Sequence, residues 1–416
     1  MRIMQENNID KGAVTINVLN SDNIPIQDAT VSISYTGNPE EVIDEQKTDE
    51  NGRVEEQELP APPVEWSLSE SNIEQPYSEY SVQVNAEGYL GENVSGIQIL
   101  SETNSIQIVK LRKITPQGQG ENIVIPAHTL YGQYPEKIPE DEVKPLEENP
   151  EIVLSRVVVP EYVVVHDGAP SDSTAKNYYV TYRDYIKNVA SSEIYATWPK
   201  ETLRANILAI MSFTLNRTYT EWYRSKGYDF TITSSTAYDH KWMNGRNIYT
   251  SIADIVDEIF DKYLSRPNVK QPILTQYCDG RQVTCDGWMT QWGSKSLGDS
   301  GYTDIEILRY YYGYDMYVNT AELISGIPSS WPGYNLDIGA SGEKVRTIQE
   351  QLNKIATVYS AVPRIVADGR YGEATKNAVL QFQKIFGLPQ SGVVDFRTWY
   401  KISQIYTGIT RIAEFG

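Results

Sequence analysis

Apolar and polar residues alternate along four stretches near the start of the chain, "AVTINVLN", "ATVSISYTG", "YSVQVNAEGY" and "NSIQIVKL". A period of two puts every second side chain on one face of a strand, and turn residues separate the four runs. Residues 1–113 are therefore expected to form a small β-sandwich, with "TDENGRV" as a hairpin-type turn. The alternation then lapses. Residues 114–158 carry many prolines and acids and little periodicity, which predicts an extended, exposed linker open to proteases.

Beyond the linker the pattern becomes mixed. "VVVPEYVVVHDG" reads as strand and "RDYIKNVASSEI" as helix. "TWPKETLRANILAIMSFTLNRTYTEWYRS" predicts a longer helix, with Thr197 as its cap, Pro199 in its first turn, and Leu203, Ile207, Ile210 and Met211 at helical spacing. "NIYTSIADIVDEIFDKYLSR" predicts one amphipathic helix. Residues 159–330 thus form a mixed α/β domain. Residues 331–416 predict three short helices joined by glycine turns, with Leu336, Val345, Ile348 and Leu352 on one stripe and Ala378, Val379, Phe382 and Phe386 on another. The fold class is multidomain α+β.

One helical stripe contains an anomaly. In "YIKNVASSEIYATWP", Ile186, Val189 and Ala190 share a face with Glu193, next to Ile194, Tyr195 and Trp198. An acid held against apolar and aromatic side chains is disfavoured as an anion, so its pKa is expected to rise. A raised pKa suits a general acid at neutral pH. The bland alternative is a solvated helix-end glutamate, or one satisfied by a buried hydrogen bond.

Charge changes the picture in the front half. Residues 1–150 hold 27 Asp+Glu and 9 Lys+Arg, a net charge of −18 out of −19 for the whole chain, leaving −1 for residues 151–416. Neither part offers the basic patch that nucleic acid needs. The chain starts "MRIMQENNIDKG", without the apolar core of a secretory signal, and no apolar run reaches membrane-spanning length. No membrane partner is expected. Tyrosine is abundant, at 30 residues, which suits sugar stacking but equally fills cores. The two cysteines, Cys278 and Cys285, flank a hairpin-like loop across which a disulfide is easy. Free thiols, a metal site with His240, or a Cys278–His240 nucleophilic pair stay open as alternatives. No fourth ligand stands at a motif spacing, so neither a metal nor another cofactor is expected.

Three resemblances sharpen this reading. "GAVTINV", "IPIQDATVSI", "TDENGRV" and "YSVQVNAEGY" resemble the transthyretin-like domain, usually a spacer or interaction module. The runs from Leu336 to Leu352 and from Asp368 to Gln383, closed by "GLPQSGVVDFRTW", resemble the peptidoglycan-binding domain of bacterial wall hydrolases. "YIKNVASSEIYATWPKETLRANILAIMSFTLNR", "TSSTAYDHKW" and "CDGWMTQWGSKSLGDSGYTDIEILRYYYG" resemble the stage II sporulation protein D family of lytic transglycosylases, with departures at Trp288, Thr290 and Ser294. This resemblance implies that Glu193 is the catalytic acid/base and that Tyr277, Thr290, Gln291, Trp292, Ser235 and Tyr238 line the cleft. Asp239 is a possible second carboxylate, or a surface loop acid.

The order of parts resembles the clostridial spore cortex-lytic enzyme family. That implies cleavage of the glycan of cortex peptidoglycan during germination, and storage in the spore as a precursor made in the mother cell. It also implies processing by a subtilisin-like germination protease, for which "PEIVLSRVVVPEY" is the expected segment. A cortex amidase or peptidase and a non-catalytic wall-binding protein are the alternatives.

Overall fold

The computed structural model describes residues 9–144 and 156–410. The front contains β1 (Asp10–Asn20), β2 (Thr30–Tyr35), β3 (Asn38–Lys47), β4 (Arg53–Ala61), helix α1 (Val64–Leu68), β5 (Ser78–Asn85), β6 (Glu92–Ile99) and β7 (Asn104–Leu111). β1 pairs antiparallel with β4 and parallel with β7; β2 pairs with β3 and β5, and β5 with β6. Alternate apolar positions on the two sheets, among them Val14, Ile16, Val18, Val31, Ile33, Val82 and Val84, close on one core. Burying each such side chain contributes about 1.5–3 kcal/mol.

The acidic strand β3 escapes the alternation rule, because it is an edge strand whose side chains mostly face water. "TDENGRV" is not a hairpin turn. It carries the chain from β3 in one sheet to β4 in the other. Asp49 shapes it by accepting from the N–H groups of Asn51 and Arg53, and Gly52 takes the left-handed conformation at φ 70°.

The expected linker does keep most of its described residues exposed, but it is not free. β8 (Asn122–Val124) adds to the β6 edge, and residues 125–144 then cross the next domain as a strap, with Ile125, His128, Leu130 and Lys144 buried. Lacking a ladder of its own, the strap satisfies its backbone with amide side chains across the gap. Glu140 N–H donates to Gln276 (2.8 Å), whose own amide donates to the Ile138 carbonyl (2.8 Å); Lys144 exchanges the same pair of bonds with Gln271. Of the expected processing segment, residues 150–155 lie outside the described residues. Its remainder is part of a core: Val157 and Val159 are buried and β9 (Val158–Val159) pairs with a strand near residue 323.

The central domain contains β10 (Tyr162–His166), β11 (Asn177–Thr181), α2 (Tyr182–Glu193), α3 (Lys200–Tyr219), β12 (Ile232–Thr233), β13 (Ile248–Tyr249), α4 (Thr250–Ile259) and β14 (Lys262–Ser265). It ends in β15 (Tyr277–Cys278), β16 (Met289–Thr290), α5 (Gln291–Asp299), α6 (Asp304–Tyr312), β17 (Tyr317–Thr320) and β18 (Leu323–Ile324). Two local expectations fail here for tertiary reasons. Pro199 precedes α3 rather than sitting in its first turn, and the Thr197 hydroxyl meets that of Ser67 (2.8 Å) instead of capping the helix. The expected single helix over 247–266 is three elements, because β13 joins the front sheet beside β7 and β14 pairs antiparallel with β17.

Helices α7 (Glu343–Ile355), α8 (Glu373–Ile385) and α9 (Phe396–Thr410) follow. Val345, Ile348, Leu352, Ala378, Val379 and Phe382 are buried among them, while Phe386 is half-buried. α9 docks on α4, where Phe260 meets Phe396 and Tyr400 at ring separations of 5.5 and 5.1 Å. Beneath this contact Asp257 pairs with Lys187 (2.8 Å) and with Arg183, which also reaches the Tyr400 carbonyl (3.2 Å). Burial works against the Asp257 charge, but Arg183 and Lys187 more than offset it and hold the carboxyl well below the usual carboxylate range. A depressed folded-state pKa adds stability above the unfolded value of about 3.9, and that stability is lost as pH falls below it. We expect the gap in thermal midpoint between the native chain and Asp257→Asn to be widest above about pH 5 and to shrink steadily towards about pH 2. A gap independent of pH in that window would show that the charge of Asp257 does not matter.

Candidate active site

α2 is buried almost all round, and its last residue, Glu193, sits where the chain turns extended at Ile194. Its Oε1 accepts from Lys241 N–H (2.7 Å). The Gln291 amide, at the start of α5, donates to the Glu193 carbonyl (2.9 Å) and lies 3.4 Å from Oε2. Glu193 and Gln291, 98 residues apart in sequence, are thus locked together.

The surroundings differ from the expected ring of Ile194, Tyr195 and Trp198. Tyr195, Trp198 and Trp292 form an aromatic cluster of their own, with centroids 5.0 to 6.2 Å apart, and Tyr195 and Trp292 line a separate cavity of ≈ 270 Å³. Glu193 faces a cavity of only ≈ 50 Å³, walled by Tyr277, Gln291, Asp279 and Gln282 on one side and by Tyr134 and Lys137 of the strap on the other. Pockets that take small molecules are roughly 300–1,000 Å³. The space beside Glu193 is well below that while the strap is in place.

Tyr277 is buried with its ring on His240 (5.8 Å, 13° between planes), and its hydroxyl has no partner among the described residues. Burial, and then the charge of Glu193, push the phenol well above its ordinary value, so it stays a hydrogen-bond donor. The Lys137 ammonium lies 4.9 Å above the same ring and donates to the carbonyls of Thr236 (3.3 Å) and Asp239. Burial pulls its pKa down, with Glu193 and Asp239 opposing.

Of the other sequence candidates, Thr290 bonds the Tyr311 hydroxyl (3.1 Å) away from the cavity, and Ser235 and Tyr238 form a turn in which the Ser235 carbonyl accepts from Tyr238 and Asp239 N–H. Asp239 is no surface acid. It is fully buried, paired with Arg217 (2.7 Å) and bonded by Tyr223 and Thr233. Cys278 and Cys285 form a disulfide, which leaves no thiolate for a nucleophilic pair with His240 or for a metal. Among the described residues no three His, Cys, Asp or Glu side chains are grouped to hold a metal. Asp279, the second carboxyl at the cavity, uses both oxygens to accept from Gln282 and Val283 N–H (2.7 and 2.8 Å). Sequence reasoning missed Asp279, Gln282 and Lys137. The first two could have been found from the disulfide loop beside Tyr277; Lys137 carries no local signal.

Residues 171–262 match the stage II sporulation protein family model, and residues 341–402 match a peptidoglycan binding domain model. The chain therefore carries one segment similar to a sporulation protein and another similar to a peptidoglycan binding domain. The zinc D-Ala-D-Ala carboxypeptidase of Streptomyces albus G is 37% identical over 76 residues, 18% of this chain and 28% of that protein. The chain thus spans little more than a quarter of that relative. Among solved structures, the SleB N-terminal domain is 28% identical over 18% of this chain and 99% of its own (TM-score 0.17). The Bacillus anthracis TIE protein is 16% identical over 25% of this chain and 17% of its own (TM-score 0.18). No helix among the described residues is long and apolar enough to cross a membrane.

Proposed function

We propose that the chain is a lytic transglycosylase of spore cortex peptidoglycan, with Glu193 as its one acid/base. The carrying observation is which carboxyl at the cavity is loosely held: both oxygens of Asp279 accept short bonds from a turn (2.7 and 2.8 Å), whereas only Oε1 of Glu193 is held so closely (2.7 Å) and its Oε2 lies 3.4 Å from the Gln291 amide. A hydrolase of the usual kind needs a second carboxylate to activate water or attack the sugar. A transglycosylase does not, because the substrate supplies its own nucleophile. Glu193 gives its proton to the oxygen between N-acetylmuramic acid and N-acetylglucosamine as the bond to C1 breaks. The resulting carboxylate takes the proton from the muramoyl C6 hydroxyl, whose oxygen closes on C1. The product end is a 1,6-anhydro sugar, and the proton count balances. In this reading the buried Tyr277 hydroxyl, which has no partner among the described residues, bonds the substrate once the strap is displaced. The wall-binding domain keeps the enzyme on its polymer.

The same cavity supports storage as a precursor. With Lys137 and Tyr134 in place the space beside Glu193 is small, and a protease cut between the strap and Val157 would separate the front covalently. The test is product analysis by mass spectrometry on digested cortex, using a chain whose strap has been displaced. Anhydro-muramic ends, one water lighter than hydrolytic ends, are expected. Ordinary reducing ends, or freed stem peptides, would overturn the reading.

A further inference from the structure

The contact between residues 9–144 and 156–410 is built like the inside of one domain. β13 is hydrogen-bonded into the front sheet beside β7. Next to it Asn247, fully buried, accepts from Gln98 N–H (3.2 Å) and donates to the Gln98 carbonyl (3.0 Å) and the Ser105 hydroxyl (3.2 Å). Arg246 donates to the Gln98 side chain (2.8 Å), and Gln107 donates to the Gly245 carbonyl (2.9 Å). Tyr77, Leu100 and Leu130 of the front belong to the same continuous apolar core as α2 and α3.

At the far end of the strap two arginines grip it with both prongs. Arg217 donates to the two oxygens of Glu140 (3.0 and 2.6 Å), and Arg266 does the same to Glu142 (2.6 and 2.7 Å). Bidentate pairs of this kind are short, directional and slow to break. The Arg217 side chain is fully buried, so salt screens its pair little.

None of these contacts runs through residues 145–155. Hydrolysing a peptide bond there adds one water, creates a carboxylate and an amine, and leaves every contact standing. We propose that residues 9–144 remain bound after such a cut, as a separate inhibitor protein that keeps Lys137 in the Glu193 cavity. Cutting and opening are then two events. This inhibitory sense rests on the precursor reading above; the association itself does not.

The experiment is to place a site for a specific protease within residues 145–155 of the full chain, cut to completion, and run size exclusion at physiological salt and at about 1 M, where the screening length is about 3 Å. Both fragments are expected at the volume of the uncut chain in both buffers. Glu140→Ala with Glu142→Ala in the same cut chain should weaken the association at least about tenfold, read as separation on dilution. Recovery of the unsubstituted catalytic fragment alone, in solution or as aggregate, overturns the proposal. Co-elution with full glycan-cleaving activity overturns its inhibitory half. If the fragments co-elute, and the cut Glu140→Ala, Glu142→Ala chain, separated by dilution and still folded by circular dichroism, cleaves no glycan, the transglycosylase reading fails while the association stands.

Discussion

Glu193→Gln is expected to lose at least about two orders of magnitude in glycan-cleaving rate while the chain keeps its thermal midpoint, because loss of a positioned general acid typically costs that much. The glutamine keeps the shape and can still accept from Lys241 N–H at the position of Oε1 (2.7 Å in the native chain). It has no proton to give the leaving oxygen and no charge with which to take one from the C6 hydroxyl. The assay must use a chain opened at the strap, because a cavity of only ≈ 50 Å³ would hide the difference. A near-native rate in the opened Gln variant would remove Glu193 from the chemistry. Near-native activity together with anhydro ends would point to another acid at the same cavity, with Asp279 the first to test.

Arg217→Met is expected to cost about 3–5 kcal/mol of stability, since removing one partner of a buried ion pair strands the others. Methionine replaces most of the apolar stem of Arg217 but not the guanidinium that lies over Phe213 and Trp222 (4.9 and 5.3 Å), so the loss reports the charge and its ring contacts rather than stem volume. What is stranded is Asp239, fully buried, while Glu140 of the strap keeps only Lys144 (2.6 Å). Denaturant unfolding of the full chain measures it. A loss under about 1 kcal/mol would mean that water already serves these carboxylates. Adding Glu140→Gln should cost less in the Arg217→Met chain than in the native one, because its arginine partner is already gone; strict additivity would show that the two side chains do not act as a unit.

Much of this protein was legible in its sequence where the signal is local. The run "NSIQIVKL" is β7 from first residue to last, because strict alternation admits one face to the core. α2 and the place of Glu193 on it followed from spacings of three and four, and the three glycine-punctuated helices at the end did too. The disulfide was one of several arrangements that the Cys278–Cys285 spacing allowed. What the pattern could not carry was polar complementarity between distant segments. Residues 125–144 have no period because much of what holds them comes from Gln271, Gln276, Arg217 and Arg266, 77 to 136 residues away. The same holds for Asp239, which a loop sequence marks as exposed and Arg217 makes a core residue. The residues flanking α4 likewise gave up an expected helix once the β7 edge and β17 were there to pair with. Periodicity records which face of an element is buried; which segment buries it, and whether that segment closes the Glu193 cavity, is decided only when the whole chain is folded.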